Sequence, residues 1–523
     1  MSRALAEALN LELAWARLKF DHPDRVFITH PYQETLIERD FRAWLGAIRQ
    51  RVADGYRSSP CAVCDYPKSN WQIRPGSYLA LEDELILNAP IGSMYGLIRE
   101  GLAWSQGTAD ISYQLPNRTN AVEWVKRGFP VWREWREKSL SAVTGDLTHV
   151  LFVDIANYYE HVDLRTLKSD LRQHRVEGEA LDVLIDCLYR WADSRARGLP
   201  QGYSAADILA KVYLNTVDQT LQNEHYRCLR YVDDIRVFCT SELDARRVLL
   251  RITELLRARG LNVHSTKTKI VDREAGIREI DGITPVVEQV AGALIEEMRA
   301  AHADGYGTIA GLEALARSRP EDAPSEVLER AFVEFFFGGM AFDKTLFHFL
   351  LTRLAAVRSE IAVEYCLETL AARPDETESV MRYLGKFALT DEQHGRIFRY
   401  LASDSAIYGH QVFVVLRHYY DLRLFPCPCV DFARQCARDH NRPSWVRAYA
   451  VAILAEAGTA ADLENLQAEY ANTPDPLFRA TLVCAVRRLE RNRRNAWYGH
   501  VREDGEWQHR AVHWAQTEPA PPG

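Results

Sequence analysis

Apolar and polar positions along the chain fall into two regimes. Between residues 146 and 285, short apolar runs alternate with helical periods. THVLFVDI (Thr148 to Ile155) and LRYVDDIRVFC (Leu229 to Cys239) have the length and residue types of β-strands. Helical patterns at Leu164–Trp191 and Ala205–Leu221 lie between them. Strands separated by helices predict an α+β domain. Upstream, residues 58–76 (SSPCAVCDYPKSNWQIRPG) mix strand and loop signals, and LEDELILNAPIGSMYGLIREGL is a long apolar run with helical spacing. From about residue 286 the strand signals fade. Ala/Leu/Arg-rich helical periods then follow one another to about residue 495. Ser444-Trp445-Val446-Arg447-Ala448 and Pro476-Leu477-Phe478-Arg479-Ala480 open two such helices 32 residues apart, the spacing of stacked helical-hairpin repeats. An irregular helical bundle is the alternative. Residues 318–325 (SRPEDAPS) read as a linker, and the tail from Gln516 reads as disordered.

Composition narrows this little. The chain has 523 residues, 47% hydrophobic and 26% charged, which excludes a disordered or collagen-like protein. That length allows several domains. The formal net charge is -8 and the pI about 6.1. Neither the first 300 residues nor the remainder is a basic block, so any nucleic-acid site must be a local patch. Ten cysteines are too sparse for a disulfide framework. Charged residues interrupt the N-terminus, and no run approaches the ~20 apolar residues that span a bilayer. The expected location is the cytoplasm, with no membrane partner.

The chemistry lies in the carboxylates. Asp154 ends one apolar run, and Asp233 and Asp234 sit inside the other. Buried carboxylates without compensation are costly, by several kcal/mol each. A pair of Mg²⁺ ions is the obvious compensation, because Mg²⁺ takes a few carboxylates plus substrate phosphates. Two such ions can clamp the attacking and leaving oxygens of a phosphoryl transfer. A hairpin turn at Asp233-Asp234 would let both acids approach the metals.

These motifs resemble those of reverse transcriptases. Tyr231-Val232-Asp233-Asp234 is similar to their YxDD motif, and Asp154-Ile155-Ala156-Asn157-Tyr158-Tyr159 resembles the first catalytic motif. Gly198-Leu199-Pro200-Gln201-Gly202 resembles the LPQG motif. GLNVHSTKTKI, with His264 and Lys267, resembles the motif that follows, and Ile73-Arg74-Pro75 resembles the fingers motif. The resemblance covers roughly residues 60–285. It implies an α+β right-hand polymerase, with fingers and palm, followed by an all-α helical-repeat C-terminal domain. The implied divisions are 1–145 for the N-terminal and fingers region and 146–285 for the palm. A connector or thumb-like segment follows at 286–325, then HEAT-like repeats at 326–500 and a tail at 501–523.

The resemblance also implies an RNA-directed DNA polymerase that adds dNTPs. Asp154, Asp233, Asp234 and the Ile155 backbone would hold two Mg²⁺ ions, with Mn²⁺ as a substitute. Tyr159 would stack beneath the incoming sugar and exclude a 2′-hydroxyl. Gln201 and Gly202 would pack against the nucleotide. Arg74 and Lys68 would contact the triphosphate, and Lys267 would neutralise or protonate pyrophosphate. At the primer-grip position, Ile280-Asp281-Gly282-Ile283-Thr284-Pro285 keeps only the glycine of the family's usual hairpin.

A palm joined to helical repeats looks like the bacterial abortive-infection and defence-associated reverse transcriptases. That group implies antiphage defence and single-stranded DNA synthesis, either RNA-templated or untemplated. It also implies dNTPs, RNA or single-stranded DNA and a dedicated noncoding RNA as partners, with a homo-oligomer or a second defence protein. Conventional retroelement cDNA synthesis and a catalytically idle RNA-binding scaffold stay open as alternatives. Other signals are weaker. Cys61 and Cys64, and Cys427, Cys429 and Cys436, read as structural thiols rather than zinc ligands. His161 reads as a palm residue near the site. Arg487–Arg494 is a basic helix face with either a phosphate-binding or a solvated role. Arg74, Lys267 and Lys269 are expected near the walls of a local basic channel.

Overall fold

The computed structural model describes residues 3–21, 28–192, 195–284, 286–291, 293, 323–339 and 341–518. The chain divides into two compact units. The first contains residues 1–27, 45–63 and 76–282; the second contains 28–44, 64–75 and 283–523. The expected N-terminal and fingers region, 1–145, is therefore not one body. Most of the expected connector and the 318–325 linker lie outside the described residues.

Strands β1 (Ala62–Pro67) and β2 (Ile73–Tyr78) pair as a two-stranded sheet. The first unit is built on a second sheet, from β3 (His149–Asp154), β4 (Arg227–Tyr231), β5 (Asp234–Cys239) and β6 (Lys269–Asp272), in the order β4-β5-β3-β6. All three pairings are antiparallel. Alternation along each strand sends side chains to opposite faces, and both faces are covered. Leu151, Val153, Ile235, Val237 and Cys239 join a core with residues of the helices Ser204–Asn223 and Glu242–Ala258. Val150 and Phe238 join a smaller core with Val143, Leu147 and Ile280 on the other face. The apolar run after β2 forms one helix, Leu81–Leu102, which tolerates Pro90 in its interior.

The second unit is helical from Ser325 onward. Helices Lys344–Ala356, Thr377–Leu384, Gly409–Asp421, Ser444–Ala457, Pro476–Ala485 and Glu506–Thr517 pack in succession as one row. Val363–Ala372, Asp391–Leu401 and Cys427–Arg438 form a second row beside it. In the helix opened by Ser444, Arg447 is buried, bonds to the Ala437 carbonyl and Glu469, and stacks over Phe478. Arg479, its counterpart in the helix opened by Pro476, bonds to the Thr473 carbonyl and stacks over Tyr470. The repeated Arg-Ala is thus a packing device that ties each helix to its neighbours.

The expected tail, 501–523, is helical through Thr517; of the stretch from Gln516 expected to be disordered, residues 519–523 lie outside the described residues. Glu506–Thr517 is a helix that buries Val512, Trp514 and Ala515. Its apolar positions recur at helical spacing, and the helix Pro476–Ala485 gives them a surface to cover. Among the described residues, no helix is long and apolar enough to cross a membrane.

Candidate active site

The sheet register brings the acids together. Asp154, the last residue of β3, pairs directly with Asp234, the first of β5. Directly paired residues project on the same face. Asp233 sits in the turn between β4 and β5. That turn is Val232-Asp233 rather than the expected Asp233-Asp234, because Tyr231 pairs with Asp234 and leaves only two residues to reverse the chain. Val232 adopts φ 58, an outlier for a β-branched residue and a mark of a strained functional turn.

Backbone bonds fix this corner from both sides. Ile155 N donates to Asp233 O at 3.1 Å, and Ile155 itself is buried and bridges to Val263. His264 N donates to Asp154 O at 2.7 Å, and Ala156 N to Asn262 O at 2.8 Å. The loop after Gly260 is thereby stitched to the end of β3, which carries Lys267 to the site. Lys267 Nζ donates to Asp154 Oδ1 at 2.8 Å. Desolvation works against the lysine's charge, but the Asp154 bond and the three carboxylates outweigh it and raise its pKa.

Solvent reaches Asp234 as a residue. The protein around its carboxyl nevertheless desolvates it, and with the charges of Asp233 and Asp154 raises its pKa to about 7, against Lys267 and Arg236. A cation placed here would relieve that crowding. Among the described residues, no three side chains close into a metal cage by themselves. An open, oxygen-rich corner of this kind suits Mg²⁺, which keeps positions for water and substrate phosphates.

Beside the acids, Tyr159 and the Gly198–Gly202 loop are held as one piece. Leu199 N donates to Tyr159 O at 2.9 Å, and Gly198 N to Val162 O at 3.0 Å. Gly198 and Gly202 take φ 111 and 108, where a side chain would be strained. Gln201 N donates to Ser77 Oγ at 3.0 Å. Tyr159 is 8% exposed, and its hydroxyl donates to Asp207 Oδ1 at 2.5 Å. Desolvation pushes Asp207 up to about 7, although bonds from Tyr159 and Tyr113 and the Arg127 charge oppose it.

A buried ionic network lies behind the turn. Arg230 Nη2 donates to Asp110 Oδ2 and to Asp218 Oδ2, both at 2.6 Å. Lys211 Nζ donates to Asp110 Oδ2 at 2.6 Å. Arg230 Nη1 donates to the carbonyl of Val232 at 2.9 Å, so the network grips the strained turn itself. Desolvation opposes the arginine's charge, yet Asp110 and Asp218 outweigh it and raise its pKa. The motifs give no hint of this network or of Asp207. The signal available is Asp207, Lys211 and Asp218 on one face of a largely buried helix.

Other expected residues fall elsewhere. Lys68 and Arg74 belong to the second unit, so the first unit does not itself gather them with the aspartates. Lys269 does not stand free on a channel wall; it pairs with Glu279 at 2.8 Å. His161 Nδ1 lies 2.9 Å from Asn157 O, within its own short helix. At the primer-grip position Arg136 pairs with Asp281. The basic run near the C-terminus is engaged internally. Arg487 pairs with Glu456, Arg488 with the Ala455 and Glu456 carbonyls, Arg493 with Glu464 and Arg494 with the Arg487 carbonyl. The ten cysteines are free thiols. Burial pushes Cys64, Cys429 and Cys436 up to about 12.

Residues 108–283 match the family described as reverse transcriptase (RNA-dependent DNA polymerase). The match contains Asp154, Tyr159, Gln201, Gly202, Asp233, Asp234 and Lys267, and leaves out Lys68 and Arg74. No curated protein sequence matches the chain. Among solved structures, the telomerase of Candida albicans with a fragment of telomeric RNA is similar at 11% identity and TM-score 0.31, over 70% of each chain. The apo telomerase of Candida tropicalis is similar at 12% identity and TM-score 0.33, over 71% of this chain and 66% of that one. Likeness at this level adds nothing to the family match. Residues 108–283 of this chain are a reverse transcriptase domain, the domain of an RNA-directed DNA polymerase.

Proposed function

We propose that the chain is a reverse transcriptase of the bacterial antiphage-defence kind, making single-stranded DNA from dNTPs. The observation that carries the polymerase reading is the Asp154–Asp234 register with Asp233 in the adjoining turn. Asp154, Asp233, Asp234 and the Ile155 backbone would hold two Mg²⁺ ions. When bound, the ions supply charge stabilisation to the attacking 3′-oxygen and the departing pyrophosphate. The protein's own groups do the rest. The paired carboxylates would fix where the ions sit and so where the reacting oxygens could be held in line. Lys267 stands within reach of Asp154 and can shift to neutralise or protonate pyrophosphate. Tyr159, pinned by Asp207, presents a fixed wall to the sugar. The glycine at 202 allows the backbone to approach the nucleotide. Arg74 and Lys68 would reach the triphosphate from the β1–β2 hairpin.

The defence reading rests on the helical rows that follow the palm and on the departure at Ile280–Pro285. It favours DNA synthesis with an unusual primer, on a dedicated RNA or on no template. The experiment is incorporation of labelled dNTPs by the purified chain with Mg²⁺, with and without added primed RNA. Synthesis without added template, or on co-purified RNA, is the expected result. Strict dependence on an added primed RNA would favour retroelement cDNA synthesis. No incorporation under any condition would favour the idle scaffold.

A further inference from the structure

The second unit contains a cavity of about 520 Å³ between the helices Lys344–Ala356 and Thr377–Leu384. Every charged side chain on its wall is basic or imidazole: His348, Arg358, Arg382 and Lys386. Thr352 and Ser379 add hydroxyls. Arg358 and Lys386 are exposed and have no ion-pair partner among the described residues. Arg382 has one weak contact, to Glu378 on its own helix at 3.4 Å. Behind the wall, Glu376 is buried and paired with Lys344 at 2.8 Å and with His348 at 2.5 Å. Ser379 Oγ lies 3.1 Å from the same His348 nitrogen.

The charge here is compensated only in part, by Glu378 against Arg382 and Glu376 against His348. His418 is half-buried nearby, its shielded Nε2 without a hydrogen-bond partner among the described residues. Burial, then the charges of Arg417, Lys386 and Arg382, push its pKa down to about 4. A helix C-terminus by itself favours a lysine or arginine. That effect explains Arg358 and Lys386 singly. It does not explain why both helix ends, with Arg382 and His348, line one concavity in a protein of net charge -8. Among the described residues that line the cavity, the one tyrosine offers no stacking surface, since Tyr383 is 1% exposed and its hydroxyl bonds to the Ser359 carbonyl. Such a surface suits phosphate rather than bases.

We propose that this cavity binds the phosphodiester backbone of a single strand of nucleic acid, independent of sequence, through Arg358, Arg382 and Lys386. The choice of a polynucleotide over a free phosphate rests on the polymerase reading above; the phosphate chemistry does not.

The test compares the full chain with Arg358→Asn/Lys386→Gln, asparagine being tolerated at the left-handed φ of 56 that Arg358 adopts. The probe is a fluorescein-labelled oligothymidylate, titrated over a range of salt. The double variant is expected to bind several-fold more weakly at low salt. Its slope of log affinity against log salt should be shallower by about 1.4, from about 0.7 per lost phosphate contact on a single strand. Arg358→Lys/Lys386→Arg should restore both, which separates charge from misfolding. Competition by inorganic phosphate or a dNTP as effective as by unlabelled oligothymidylate would overturn the strand assignment. Equal affinity and slope in all three proteins would overturn the site. Incorporation by the wild type, assayed in parallel, tests the polymerase reading separately; its failure would leave a binding difference standing.

Discussion

Burial, with the charges of Asp233 and Asp154, raises the pKa of the Asp234 carboxyl to about 7 against the cations Lys267 and Arg236. An acid raised in the folded state favours the protonated fold. Its ionisation therefore weakens the fold progressively from about pH 4, the range of an unperturbed aspartate, and fully above about pH 7. Without metal, Asp234→Asn is expected to melt above the wild type at about pH 8 and level with it at about pH 4. A difference constant across that window, read by thermal denaturation, would contradict the crowding. The same titration should make the wild type need more Mg²⁺ as pH falls below about 7, since a protonated carboxyl cannot ligate. Tyr159 makes a second residue-scale claim. Tyr159→Ala should lose discrimination against rNTPs by ~10–200-fold, the range one misfit group carries in a packed pocket. Asp207→Ala, which frees the Tyr159 hydroxyl, should lose part of it, while Asp207→Asn keeps an acceptor and most of the selectivity. Competing dNTP and rNTP incorporation measures all three.

At the scale of elements, the β4–β5 hairpin depends on Arg230. Its guanidinium joins two buried carboxylates and holds the Val232 carbonyl at the strained turn. Arg230→Met would leave Asp110 and Asp218 buried without it, a change that costs about 3–5 kcal/mol. Chemical denaturation should show a loss of that size; a neutral result would mean the network does not support the turn. The hairpin and β3 were legible in the sequence because each is a short apolar run bearing an unexpected acid. The turn lies one residue before the Asp-Asp pair that the sequence suggests, since only strand register decides which two residues reverse the chain. The Arg230 network was not legible, because its members Asp110 and Arg230 lie 120 positions apart. Charge pairing over that distance leaves no local pattern.

Across the whole molecule, the change of pattern near residue 286 stood out in the sequence, close to where the first unit ends at Gly282. Residues 28–44 and 64–75 join the second unit, and nothing in their local pattern says which core they cover. Basic residues show the same limit. The basic run from Arg487 to Arg494 stands out in the sequence but is largely taken up by carboxylates and carbonyls of its own unit. Arg382 and Lys386 lie four positions apart, but Arg358 comes from the end of another helix and joins them only through helix packing.

Metal-dependent nucleotide addition by this chain would rest on Asp154, Asp233 and Asp234. The most direct measurement is Mg²⁺-dependent incorporation of labelled dNTPs by the purified wild type beside the correctly folded Asp233→Ala/Asp234→Ala variant. The expected result is DNA synthesis by the wild type, abolished by a chelator, and none above background in the variant. Incorporation that survives in the double variant would contradict it.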